Sequence, residues 1–397
     1  MNRPRFLWLA LLALLALACS GCGKSPPPST STGTGEIPAV TAQGAVGVAT
    51  KNTTRLGNSD PVVDAAAVAR VVHPGLTADS RAQTVVLVSE RDWPAALAAS
   101  ALAASPLRAP LLYSEGSTLP QISAQTLSAL RPSGSSLLDG AQVITLGESV
   151  SVPNGYRKRV LTGASAAALA AALEPLVQAI HGGPPRRVLI VSAEGPPALA
   201  MPAASLAAQT GAPILFVSTN AIPAATSALL AELKQPSIYV IGPTSAVSEA
   251  VITQLGRFGQ VKRINGAGTA SNAIAVAQYS DGSFGWGVDE PGHGLVFTNA
   301  QRPLDAPAAA SLSASGDYGP LLLLEYPNLI SAELARYLSD IQPGYTDEPQ
   351  CRPVRGVYNH GWLIGGQQAI TAAVQAEIDS MLEISSRKAC TAPPITP

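Results

Sequence analysis

Three arginines carry the clearest chemical signal in the chain. Arg55, Arg159 and Arg263 each stand two to four residues ahead of a glycine, in Arg55-Leu56-Gly57, Arg159-Val160-Leu161-Thr162-Gly163 and Arg263-Ile264-Asn265-Gly266. A guanidinium fork matches phosphate and carboxylate groups, so three of them could hold a polyanion through several weak, linked contacts. The alternative is that each pairs with a local acid and fixes how one segment meets the next. Two further places set a polar group directly after an apolar run. Asp92 and Trp93 precede Pro94, and Glu194 stands two residues before Pro196. Asp92 is either a ligand carboxylate or, more cheaply, the N-cap of a helix with a first-turn proline. Trp93 is either a packed aromatic or a platform for a sugar ring, and Glu194 repeats the capping pattern.

Covalent and metal chemistry find no such signal. There is no Gly-x-Ser-x-Gly elbow, no His-Glu-x-x-His and no compact Ser/His/acid set. The four histidines, His73, His181, His293 and His360, fall at unrelated positions, and none joins a second ligand at zinc spacing. Gly242-Pro243-Thr244-Ser245 lacks both the G-x-G-x-x-G spacing and a Walker lysine, which argues against a nucleotide site. Two carboxylates would suffice for a glycosidase, but nothing favours one pair. The reading is a non-catalytic protein without cofactor or metal.

The candidate residues are set within a pattern that occurs three times. In the middle copy, apolar runs at 188–191, 214–217 and 238–241 alternate with an Ala-rich segment and a helical pattern at 225–233. The upstream copy has runs at 85–88, 111–113 and 143–146, and the downstream copy at 295–297, 319–322 and 363–365. Ala109-Pro110-Leu111-Leu112 and Ala212-Pro213-Ile214-Leu215 occupy equivalent places. Strand–helix–strand–helix–strand at this spacing predicts an α/β fold of parallel sheets covered on both faces. Gly147, Gly242 and Gly365 end the last run of each copy and are expected to be turns that exclude a side chain. The domain boundaries expected from the period are 54–157, 158–262 and 263–390, with a tail at 391–397.

Composition narrows the function classes. The 397 residues hold 25 Lys plus Arg and 26 Asp plus Glu, a formal charge of -1, with no basic stripe; nucleic acid is therefore not an expected partner. Hydrophobic residues make up 47% and are dominated by alanine, which suits thin helices lying close against sheets. At the N-terminus two arginines precede an apolar run at 6–18, then Ala18-Cys19-Ser20-Gly21-Cys22. This resembles a bacterial lipoprotein signal over 1–18, with Cys19 (alternatively Cys22) lipidated and 19–53 a flexible tether. Membrane lipid is then a partner, and the protein is exported and anchored to a bacterial membrane in the cell envelope. In that compartment Cys351 and Cys390 are expected to form a disulfide.

The pieces at 55–57, 84–97, 109–112, 187–199, 212–215, 239–252 and 263–277 together resemble the bacterial cell wall-binding repeat 2 family. The resemblance implies three tandem small Rossmann-like (flavodoxin-like) domains about a pseudo-threefold axis. It also implies non-covalent attachment to an anionic cell-wall or surface polysaccharide. The chain departs from the family's acid–Arg–Tyr after the opening glycine, having Asp60-Pro61-Val62, Ser165-Ala166-Ala167 and Thr269-Ala270-Ser271 instead. A surface module that binds protein is the alternative function, and a wall-glycan hydrolase the more remote one.

Overall fold

A computed structural model describes residues 48–314, 319–344 and 358–385, all within one compact unit, Val40–Pro397. Cys19, Cys22, Cys351 and Cys390 lie outside the described residues. The chain makes three passes through the same plan. The first contains β1 (Thr53–Leu56), α1 (Pro61–Val72), β2 (Val85–Ser89), α2 (Trp93–Ala99) with a 3-10 turn at Ser100–Ala103, β3 (Leu111–Ser114), α3 (Gln121–Leu130) and β4 (Val143–Leu146). The second contains β5 (Lys158–Leu161), α4 (Ala166–His181), β6 (Arg187–Ser192), α5 (Pro202–Thr210), β7 (Ile214–Val217), α6 (Ala224–Glu232), β8 (Ser237–Ile241) and α7 (Glu249–Leu255). The third contains β9 (Gln260–Ile264), α8 (Thr269–Gln278), β10 (Gly294–Asn299), α9 (Asp305–Ala314), β11 (Leu321–Leu324), α10 (Ala332–Asp340), β12 (His360–Ile364) and α11 (Ala372–Leu382).

Three four-stranded sheets result, in the orders β3-β2-β4-β5, β7-β6-β8-β9 and β11-β10-β12-β1, and every pairing is parallel. The inner strands are covered on both faces, hence their unbroken apolar runs. The fourth strand of each sheet is the arginine-bearing phrase of the next pass. Arg159 in β5 pairs with Ile144, Arg263 in β9 with Val240, and Arg55 in β1 with Leu363. The sequence period at 158 and 263 therefore falls at, or inside, the last strand of a sheet. At the far end β1 returns to complete the last sheet, so the ring of three is closed by the chain's own start.

The helix after each opening strand packs onto the following sheet: α1 on β3 and α3, α4 on β7 and α6, α8 on β11 and α10. At the centre Ala103, Ala208 and Ala310 form one small buried cluster, drawn from the equivalent segment of each pass. Methyl-sized side chains let the three segments approach closely at this point. This meeting of equivalents is where the approximate threefold symmetry is expressed.

Candidate functional site

The strand ends are built around the three glycines. Gly147, Gly242 and Gly365 have φ of 81°, 115° and 96°, a region that disfavours any side chain. Each N–H donates to the last carbonyl of the adjoining opening strand: Gly147 to Leu161 at 2.9 Å, Gly242 to Ile264 at 3.0 Å and Gly365 to Leu56 at 2.8 Å. One backbone bond, repeated three times, thus ties the end of each third strand to the next pass.

The arginines act on those same turns. Arg55 is only 5% exposed; its guanidinium donates to the Gly365 and Gly366 carbonyls at 2.8 and 3.0 Å and to Gln375 Oε1 at 3.0 Å. Burial lowers its pKa to about 10, which leaves it charged at neutral pH. Arg263 donates to the Gly242 carbonyl at 2.8 Å and the Val247 carbonyl at 2.7 Å, and pairs with Glu249 at 3.1 Å. In both cases the turn leads into a helix, α11 or α7, and residues in or just before its first turn supply the remaining acceptors. No helix follows Gly147; the chain runs irregularly to β5. Arg159 accordingly stays half-buried, and its side chain makes no hydrogen bond or ion pair among the described residues. The three arginines sit in three different sheets.

The other polar candidates divide. Asp92 is the N-cap of α2, accepting from Ala95 N at 3.0 Å, and its second oxygen lies against the Gly147 turn. Trp93 is half-buried and meets Phe216 of the second sheet edge-on, with centroids 6.4 Å apart at 83°. Glu194 caps no helix. A 3-10 turn at Pro197–Leu199 intervenes before α5, and the exposed carboxylate accepts from Ser218 Oγ at 2.7 Å and Thr219 N at 3.2 Å. It ties the loop after β6 to the loop after β7.

Between the first and third passes these strand ends enclose a cavity of about 290 Å³, with Glu90, Arg91 and Trp93 on one wall and Gln301, Arg302 and Leu304 on the other. Parallel α/β sheets bind ligands outside their strand carboxyl ends, and this cavity offers an aromatic face, an exposed guanidinium and an amide. Its floor is formed by Arg302 and two buried carboxyls. Arg302 donates to Asp305 and to Asp64, each at 2.6 Å, and to the Ser59 carbonyl at 2.8 Å. Both carboxyls are fully buried. Burial raises the pKa of Asp64, with Asp305 adding to the rise and Arg302 opposing it; burial likewise raises Asp305 against Arg302. Burial thus favours the protonated form of each carboxyl, and the guanidinium between them works in the opposite direction. Arg302 follows the end of β10 by the same three residues that separate Asp92 from β2, so cation replaces acid at that station. The available signal was Asp64 itself, an acid on the apolar face of an alanine-rich helix, which demands a buried partner. Among the described residues no group of three or more His, Cys, Asp or Glu is arranged to hold a metal ion.

Comparison with known proteins bears on this architecture. Residues 161–252 match the family model for cell wall binding domain 2 (CWB2). The middle repeat is similar to that domain. The match begins at the last residue of β5 and runs into α7, so the CWB2 unit starts where the first sheet ends. Solved structures that share the fold include Cwp6 and Cwp8, both from Clostridium difficile. Cwp6 aligns with a TM-score of 0.65 and 18% identity over 86% of this chain and 49% of its own. Cwp8 aligns with a TM-score of 0.62 and 21% identity over 83% of this chain and 52% of its own. The chain therefore spans about half the length of each. No curated protein sequence matches it.

Proposed function

We propose that the chain is an exported cell-envelope protein that binds an anionic wall polysaccharide without catalysing a reaction on it. The observation that carries this reading is the CWB2 match at 161–252, set among three sheets of one design. Arg55 and Arg263 serve the fold, through the glycine turns. Polymer contact belongs to Arg159 and to the cavity lined by Arg91, Trp93 and Gln301, where an indole face can stack on a sugar ring and a guanidinium can meet a phosphate or carboxylate. Attachment to a membrane through Cys19, or Cys22, completes the proposal and keeps the binding body at the envelope.

The test is a pulldown of full-length protein with purified anionic wall polymer at low and high salt. Retention is expected to fall with added salt. It is also expected to fall in Arg159→Ala and Arg91→Ala, at a half-buried and an exposed position, with circular dichroism unchanged. Binding that ignores salt and both substitutions would remove this mechanism. For the anchor, intact-mass analysis of membrane-extracted protein should find a lipidated N-terminal cysteine; an unmodified mature N-terminus would dismiss it.

A further inference from the structure

The middle sheet has a second feature at its opposite edge, where β6 and β8 begin. A groove of about 900 Å³ opens between the end of α4 and the turn after α6, and His181, Arg186, Arg187 and Lys234 line it. Among its lining residues none is acidic. Arg186 and Lys234 are exposed and make no side-chain hydrogen bond or ion pair among the described residues. Arg187 lies with its guanidinium 5.7 Å from the centre of the Phe284 ring. Burial lowers the His181 pKa, and the permanent cations free in the same groove are Arg186 and Lys234. In a chain with only 25 basic residues and a net charge of -1, this is a marked local excess.

The excess is not a by-product of the fold. Val86, Leu189 and Val296 are equivalent, because each donates its N–H to the carbonyl of the proline before the neighbouring strand: Pro110, Pro213 and Pro320. Counting back from them, the stations of Arg186 and Arg187 hold Gln83 and Thr84 in the first repeat and His293 and Gly294 in the third. The paired arginines belong to the middle repeat alone.

We infer that this groove binds a ligand carrying two or more phosphate groups, as a segment of a phosphodiester chain. One anion would neutralise one of the two free cations, Arg186 and Lys234, and leave the other without a partner, whereas a chain sets successive charges along the groove. Guanidinium forks match phosphate oxygens two at a time. The cations line a concavity, which suits a strand-like ligand; a bilayer surface is met by protruding charges instead. The inference stands on charge and shape at 181–237 and is independent of the strand-end polymer site.

Calorimetry of full-length protein with inorganic tripolyphosphate tests it. The comparison variant is Arg186→Gln/Lys234→Asn. Asparagine is chosen because Lys234 has φ of 53°, a conformation that asparagine tolerates. The expected result is binding that weakens with salt and falls at least tenfold in this variant. Arg81→Gln/Arg131→Asn, which removes two exposed cations from the first repeat, should leave it unchanged. Citrate should bind at least tenfold more weakly than tripolyphosphate. The inference is overturned by an absence of tripolyphosphate binding, by equal loss in the two variants, or by equal binding of citrate. Tighter capture by phosphatidylglycerol vesicles through the same cations would also overturn it. Wall-polymer retention is read separately, so either site can fail while the other stands.

Discussion

At the scale of single residues, the buried Arg302–Asp64–Asp305 group is the most consequential. Removing the cation with Arg302→Met strands two carboxyls away from water. The expected loss is about 3–5 kcal/mol, the usual result of breaking a buried pair from one side, and urea unfolding would measure it. The pH dependence has a definite sign. Both carboxyls have folded-state pKa values raised above the unfolded range, so their contribution is fully present below about pH 4 and is lost as pH rises through neutrality. Asp64→Asn should flatten that decline between about pH 4 and 8. The variant should also fold, because Asn272 holds the equivalent place in the third repeat, accepting from Gly266 N at 3.3 Å and donating to the Leu199 carbonyl at 2.9 Å. An undiminished slope in Asp64→Asn would show that the pair is not its source. The sequence pointed to Arg55 and Arg263, but their acceptors were not legible. The Gly365 carbonyl bound by Arg55 lies 310 residues further along the chain, and no local pattern encodes it.

At the scale of elements, the inner strands were plain in the sequence because burial on both faces forces an apolar run. The fourth strands were not. Gln260–Ile264 carries Lys262 and Arg263 on an edge strand, and its membership of a sheet is decided by a crossover rather than by its own residues. The glycine turns were legible, since three equivalent positions required the same backbone, and they yield a graded prediction. Gly242→Ala places its Cβ 3.4 Å from Ala246, whereas at Gly365 the new Cβ would lie 2.7 Å from Ala369. Left-handed strain costs each variant about 1–2 kcal/mol, and overpacking adds about 1–3 kcal/mol at Gly365. Thermal unfolding that ranks Gly242→Ala as the more damaging would contradict this. The missing helix after Gly147 makes the parallel case for the arginines. Arg55→Ala leaves the Gly365 carbonyl and Gln375 Oε1 without their donor and should cost roughly 2–4 kcal/mol, while Arg159→Ala should stay within about 0.5 kcal/mol of the parent.

At the scale of the whole molecule, closure of the ring is the feature that a linear period could not reveal. Three repeats read along a chain look open-ended, and the resemblance implied a threefold arrangement without saying which strand completes the last sheet. The structure gives that place to β1, which pairs with β12 through Thr53–Gly361 to Leu56–Ile364 and is fixed there by the Arg55 clamp. The first residues of the described body therefore stabilise the last. A chain truncated just before Gly57 keeps every strand of the first two sheets, but it leaves β12 as an unpaired edge and the Gly365 and Gly366 carbonyls without the Arg55 donors. Hydrogen exchange should then accelerate most in β12 and α11, and little in the central strands β6 and β8, which hold their neighbours on both sides. The exposed edge should also promote self-association at high concentration, which sedimentation would register. Uniform acceleration across all three sheets would mean that the ring unfolds as one cooperative body, and unchanged protection in β12 would mean that β1 adds nothing to the third sheet.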